Sequence, residues 1–591
     1  MPTSLIAADS LLAIDVGSVH SRAALFDVVD GRYRYIASGV SETTANAPHN
    51  DISEGIHTAI DRLRDITGRV LIGDDERLII PGRPDGMGVD VVTATLSAGP
   101  PMKIIAVGLL EDVSLESAVN LATTTYGMIC ERIGLNDHRK TDERISAIIR
   151  AKPDLIIVTG GTDGGASHSV LKLLEAVGLG CYLQEGLTKP EVLFAGNQAL
   201  QAEVKSLFSL LGNLHFAPNV RPILDFETLD AAQVQLANLF RHIRTRQLPG
   251  VNELDSWSNG HLLPTSMAIG QLIRSLSKVY GSNKGVLGVD IGASATTIAV
   301  AFSGELTLGV YPQFGIGSGL PHYLNYGSVR DISRWLRFEI PDDYVRNYLQ
   351  TKAIYPASIP TTDEDLDVEQ ALARQMMRQT LYRMAPRLKT NPARISSGIM
   401  PFFEPILASG SVLTQPADIM QTLLMLLDGL QPAGVTTLVL DKNHLMAGLG
   451  AAMTINPILA VQAIDYGAFL SLGVVISTLG NYRYGTPVMQ LQMVHDNGSE
   501  NKVTVRQGDI CVLSLPAGHT AEVIIQCLHR CDVGMGGPGR GGRLRVVGGE
   551  VGVVIDARGR PLRLSNDPGR RREQFSRWQR MLHSQPVRSG T

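Results

Sequence analysis

Two stretches of this chain share one unusual build. LLAIDVGSVHSRAALF (Leu11 to Phe26) and VLGVDIGASATTIAVAF (Val286 to Phe302) are each an apolar run broken by an aspartate, one apolar residue and a glycine, with a second apolar run after a few small residues. An unpaired carboxylate inside a core strand costs several kcal/mol, so Asp15 and Asp290 are expected at the tips of hairpins, turned toward a partner. An ordinary exposed turn would explain one copy. Two copies with matching flanks point instead to a duplicated domain whose halves face each other across a cleft.

The residues around each aspartate suit a phosphate and a cation. Gly17 and Gly292 let backbone N–H groups come close to an anion, and Ser18, Ser294 and Thr296 are small enough not to block it. Ala293 and Ala295 narrow that approach in the second copy. Asp15 and Asp290, on opposite walls, would hold Mg2+ mostly through water, since this ion keeps its waters and commonly uses one or two carboxylates beside substrate phosphates. Arg22 could reach a phosphate or simply cap its strand.

Strand–loop–helix alternation marks the rest of the first half as α/β. DLIIVTGGTDGG (Asp154 to Gly165) reads as a buried strand entering a glycine-rich loop, and EVLFAGN (Glu191 to Asn197) as another short strand. Residues 1–225 form the expected first lobe, 226–284 connecting helices, and 285–495 a second lobe with a charged helical insertion at about 328–390. ILASGSVL (Ile406 to Leu413) reads as a strand ending in small residues, and DKNHLMAGLGAA as a turn before a small-residue helix. Residues 496–591 change texture to short strands and tight turns, expected as a separate all-β module with a closing helix.

Taken in order, the two Asp-x-Gly hairpins, LASGSVL and MAGLGAA resemble the actin-like superfamily of sugar kinases, heat-shock ATPases and actin. AIDVGSVHSRAALFDV, KPDLIIVTGGTDGG, GVLGVDIGASATTIAVA with the later FGIGSG, PILASGSVL and VGVVIDARGRPL more narrowly resemble the MutL family associated with glutamate mutase, across nearly the whole chain. That resemblance implies duplicated actin-like (ribonuclease H-like) lobes that bind ATP or ADP with Mg2+. Ser409, Gly410 and Ser411 would then lie at the adenosine, Ala293 beside the phosphates, and DLIIVTGG would be the third strand of the first lobe. It also implies an accessory role toward an adenosylcobalamin-dependent mutase, as a reactivating chaperone. A metabolic enzyme of the same fold (a hydantoinase- or oxoprolinase-like subunit, or a small-molecule kinase) and an actin-like scaffold are the rival readings, and a homodimer stays open.

Other motifs divide between chemistry and plain structure. Asp163 in TGGTDGG could orient a water against the γ-phosphate or cap the following helix. FGIGSG (Phe314 to Gly319) reads as a tight turn with a nucleotide role as the alternative. CLHRC (Cys527 to Cys531) lacks a fourth ligand for a closed zinc site, and GMGGPGRGGR reads as a loop. The arginines after Asp567 read as a solvated helix face or a partner contact. A net charge of -4 gives no footprint for nucleic acid or an anionic membrane. ILAVQAIDYGAFLSLGVVIST reads as a buried helix and strand rather than a span. Five cysteines and no signal-peptide pattern fit a reducing cytoplasm.

Overall fold

The computed structural model describes residues 9–184, 189–209, 213–280, 284–388, 398–480 and 482–583. The first repeat becomes a meander of β1 (Leu11–Val16), β2 (His20–Val29) and β3 (Arg32–Glu42). β4 (Val91–Leu96) then joins β1 in parallel, with Asp15 opposite Thr95. The helix Ser53–Thr67 covers this sheet with Ile56, Ala59, Ile60 and Leu63, an apolar stripe at helical spacing, and stops at the left-handed Gly68.

Between β4 and the end of this sheet the chain builds a second one. β5 (Met102–Gly108), β6 (Gly127–Gly134), β7 (Leu155–Val158), β8 (Glu191–Phe194) and β9 (Leu214–Phe216) are all parallel, in the order β6-β5-β7-β8-β9. DLIIVTGG is therefore not the third strand of the hairpin lobe but the centre of an inserted doubly wound unit. The sequence could not separate the two, because a parallel strand buried on both faces is a continuous apolar run in either sheet. The chain returns through the helices Asp230–Gln247 and Val251–Trp257 to the short β10 (Leu263–Pro264), which pairs with β4.

The second repeat opens the same way with β11 (Gly285–Ile291), β12 (Thr296–Phe302) and β13 (Glu305–Tyr311), followed by the parallel β14 (Phe403–Ser409) and β15 (Gly434–Leu440). The orders β3-β2-β1-β4-β10 and β13-β12-β11-β14-β15 are the same topology twice. This is the duplicated actin-like α/β fold. The helices Asp342–Ile354 and Asp363–Met384 lie between β13 and β14 and share one core with Trp335 and the second sheet.

The C-terminal strands depart from the expected separate module. β16 (Leu470–Ser477) is antiparallel to β15. β17 (Pro487–His495), β18 (Glu500–Arg506), β20 (Thr520–Cys527) and β21 (Gly542–Val547) form an antiparallel sheet of their own. β19 (Ile510–Leu513) and β22 (Gly552–Asp556), however, extend the second lobe's sheet beyond β16. β22 is buried along its whole length, so it fits only a covered position, whereas β18 and β21 alternate in burial. The segment Ile458 to Thr478 is a helix, Pro457–Asp465, followed by β16. Among the described residues, no helix is long and apolar enough to cross a membrane.

The lobes meet over a core joining Leu11, Ala13 and Phe26 to Ile269, Leu272, Val286 and Leu449. It is built on the crossing of the helices Thr265–Ser277 and Met446–Ala452, whose backbones nearly touch: a Cβ on Gly450 would lie 1.9 Å from the Ala268 carbonyl oxygen. Gly450→Ala is expected to destabilise the protein by about 1–3 kcal/mol through overpacking. Urea unfolding checks this, and wild-type stability in the variant would contradict so close a crossing.

Candidate nucleotide cleft

The two hairpin turns have the same backbone geometry. Gly17 N–H donates to the His20 carbonyl at 2.9 Å, and Gly292 N–H donates to the Ala295 carbonyl at 2.9 Å. A Cβ on either glycine would sit 3.0 Å from that same carbonyl oxygen. Among the described residues no acceptor is present for the N–H groups of Ser18, Val19, Ala293 or Ser294, so each turn offers free donors. Ala293 and Ala295 keep negative φ, and nothing in the turn requires glycine there. Ala295 is instead a core residue.

The turns face one cleft, lined by Asp15, Gly17, Ser18, Asp290, Gly292, Ala293, Ser294, Ser409, Gly410 and Ser411. Gly410 takes a φ of 116°, and a Cβ on it would fall 2.4 Å from the Ile291 carbonyl oxygen, so the strand end presses directly on the second hairpin. FGIGSG is explained by the same closeness. Ile316 and Gly317 donate to the Gly292 and Ala293 carbonyls, and a Cβ on Gly315 would lie 2.5 Å from the Ala293 oxygen.

Two expected site residues lie elsewhere. Thr296 is fully buried, and its hydroxyl donates to the Phe314 carbonyl at 2.6 Å, bracing the loop instead of facing the cleft. Asp163 sits on an exposed loop after β7, in the inserted sheet, and does not line the cleft. Its carboxylate accepts from Asn219 Nδ2 (2.9 Å) and Gln198 N–H (3.2 Å), so it caps the turn Gln198–Leu200 rather than the helix His168–Leu183.

The two aspartates differ in support. Asp15 accepts from the hydroxyls of Thr95 (2.7 Å) and Thr265 (3.0 Å). Asp290 accepts no hydrogen bond among the described residues. Burial, with Asp15 and Asp441 close by, pushes its carboxyl up to about 7, against the pull of Arg22. Asp441 is the carboxylate that sequence reasoning passed over. It follows β15 and accepts from Leu445 N–H (2.7 Å) and Met446 N–H (2.8 Å), at the start of the helix Met446–Ala452. Burial raises it to about 6, and those bonds oppose the rise. The available signal was the aspartate in DKNHLMAG, directly between an apolar strand and a small-residue helix.

Arg22 turns into the same cleft, where burial lowers its pKa and the three aspartates oppose that. Burial, then the Arg22 charge, holds His20 down near 4, and the same two causes hold His444 near 3, so both imidazoles are neutral. Tyr126, from the segment before β6, also reaches the cleft, and burial beside Asp290 raises its phenol. Among the described residues no three acidic, histidine or cysteine side chains, CLHRC included, converge closely enough to ligate an ion directly.

The raised Asp290 carries a pH signature. Below about pH 4 the carboxyl is neutral whether the chain is folded or not. Between about 4 and 7 only the unfolded chain ionises it, so its contribution to stability is lost as pH rises through that window. The metal-free protein should lose stability over that range relative to Asp290→Asn, as measured by unfolding midpoints. Parallel profiles would mean that the carboxyl is not held neutral.

Twin hairpins on facing lobes, with three carboxylates and an arginine between them, define a two-lobed actin-like protein with a charged cleft between its lobes. The chain belongs to the MutL protein family, which matches residues 11–466. It is 25% identical over 303 residues to the protein MutL of Clostridium tetanomorphum, covering 50% of this chain and 59% of that one. It thus spans well under two thirds of that relative. Among solved structures, a glycerol dehydratase reactivase is 10% identical (71% of this chain, 94% of that one, TM-score 0.25). A diol dehydratase-reactivating factor in nucleotide-free form is 11% identical (76% and 99%, TM-score 0.27). The fold stands on the repeated strand order rather than on these superpositions.

Proposed function

We propose that this protein binds Mg–ATP between its lobes and services an adenosylcobalamin-dependent mutase as a reactivating ATPase. The observation that carries the nucleotide half is the pair of matching turns, with unpartnered N–H groups, facing each other beside an uncompensated Asp290. The free N–H groups suit phosphate oxygens, and the crowded carboxylates suit a divalent cation. Asp15 and Asp290 would hold Mg2+ through its waters, Gly17, Ser18, Gly292, Ala293 and Ser294 would bind the phosphates, and Ser409, Gly410 and Ser411 the adenosine. The metal would neutralise charge on the phosphates, and the chain's part would be positioning.

Family membership and the resemblance to glutamate mutase-associated proteins support the client half. Opening and closing of the lobes about the crossing at Gly450 would couple the nucleotide to the client. The experiment mixes the protein with a mutase inactivated by turnover, free adenosylcobalamin and Mg–ATP. Recovery of mutase activity is expected with ATP and not without it. Tight nucleotide binding with no recovery for any such mutase would sink the client half and leave the cleft reading standing.

A further inference from the structure

The arginines after Asp567 do not all lie on a solvated face. The helix Pro568–His583 sinks Phe575, Trp578 and Leu582 into the second lobe's core, with the Phe575 ring 6.2 Å from that of Trp335. Its first turn thereby forms one wall of a groove, and the segment 330–342 of the helical insertion forms the other. Arg330, Arg334, Arg571 and Arg572 line the groove against only two carboxylates, Glu339 and Asp342.

Their charges are poorly matched. Arg572 pairs with Glu339 at 3.1 Å, and Asp342 is occupied by the Ser333 hydroxyl at 2.7 Å. Among the described residues, Arg330, Arg334 and Arg571 have no carboxylate within ion-pair distance. Arg571 donates from Nη1 to the Ser565 carbonyl at 3.0 Å, while its buried Nε has no partner. Arg334 lies over the Trp335 ring at 4.9 Å. Burial lowers its pKa; the charge of Asp331 opposes the lowering and that of Arg571 adds to it. In a chain of net charge -4, this is a local excess of cation packed against the second lobe's core. Apolar surface lies beside it, with Phe338 42% exposed and Ile340 and Pro568 on the walls.

We propose that this groove is a docking site for an acidic, apolar-containing segment of a partner protein. Guanidinium forks suit carboxylates bidentately, and the apolar walls favour a peptide over a bare anion. The groove is preorganised by the Trp335–Phe575 packing, so little ordering cost falls on this side of the interface. The proposal goes beyond the nucleotide reading and needs no nucleotide in the cleft.

The test is fluorescence anisotropy with three fluorescein-labelled probes: a peptide of Glu-Glu-Phe repeats, its Lys-Lys-Phe counterpart and an oligothymidylate. The glutamate peptide is expected to bind, to weaken with salt, and to bind roughly tenfold or more weakly to R334Q/R571Q, which lacks two charged donors. R543Q, a distant exposed position, should bind as wild type does. If R334Q/R571Q unfolds early, R330Q provides the same reading from an exposed arginine, and Asp290→Ala should bind the peptide normally. No binding of the glutamate peptide, equal binding of the lysine peptide, preference for the oligonucleotide, displacement by inorganic phosphate at equimolar concentration, or unchanged affinity in the arginine variants would each overturn the proposal.

Discussion

Asp290→Ala will weaken Mg–ATP binding by roughly 10- to 100-fold, the usual effect of losing a carboxylate that acts on a metal through its bound waters. ATP turnover in the variant should fall to background. The sign reverses when the metal is chelated. Asp290 then only repels the triphosphate, adding to Asp15 and Asp441 around the same space, so without Mg2+ the variant should bind ATP at least as well as wild type. Titration of a fluorescent ATP analogue, with Mg2+ and with a chelator, separates these outcomes. Equal loss in both conditions would point to collapse of the hairpin and not to a lost metal contact. Asp163→Ala provides the control: it lies in the other sheet and caps a surface turn, so nucleotide handling should be unchanged.

The second large effect lies far from the cleft. VGVVIDARGRPL ends β22 in a buried ion network. Arg558 pairs with Asp428 (2.7 Å) and Asp556 (2.8 Å), Arg560 pairs with Asp556 (2.6 Å), and Arg374 pairs with Asp428 (2.9 Å). Asp428 therefore joins the C-terminal strand to the long helix Asp363–Met384 of the insertion. Asp428→Ala would leave two buried guanidiniums short of a counter-charge, at a cost of about 3–5 kcal/mol. The loss should appear as early unfolding of β22 and the helix Pro568–His583 in hydrogen exchange. Arg572→Ala removes an exposed pair with Glu339, and its cost should stay within about 1 kcal/mol. Similar losses in both variants would mean that the network contributes no more than surface charge does.

That network also shows how a motif can be legible while its role is not. VGVVIDARGRPL is recognisable as a family feature, yet nothing local in it says that Arg558 meets Asp428 from a helix 130 positions earlier. Asp441 was similarly hidden. Its neighbours read as a turn, and its importance comes from standing near Asp290 and Arg22, which the chain supplies from two other places. Thr296 erred in the opposite direction: a small polar residue in the right register, but on the face of β12 that points at Phe314.

By itself the sequence determined the local geometry. An aspartate two positions before a glycine, between apolar runs, marks a strand that runs into a tight turn, with the carboxylate one residue inside the strand end. Repetition of that pattern in Leu11 to Phe26 and Val286 to Phe302 required two similar lobes. Tertiary structure decided which strands share a sheet and which charges share a cleft. Strand pairing is read by backbone hydrogen bonds that every apolar run offers equally, so β7 and β22 could each have joined more than one sheet. The pKa of Asp290 follows from that assembly, because burial and two neighbouring carboxylates act on it only once the lobes have closed together.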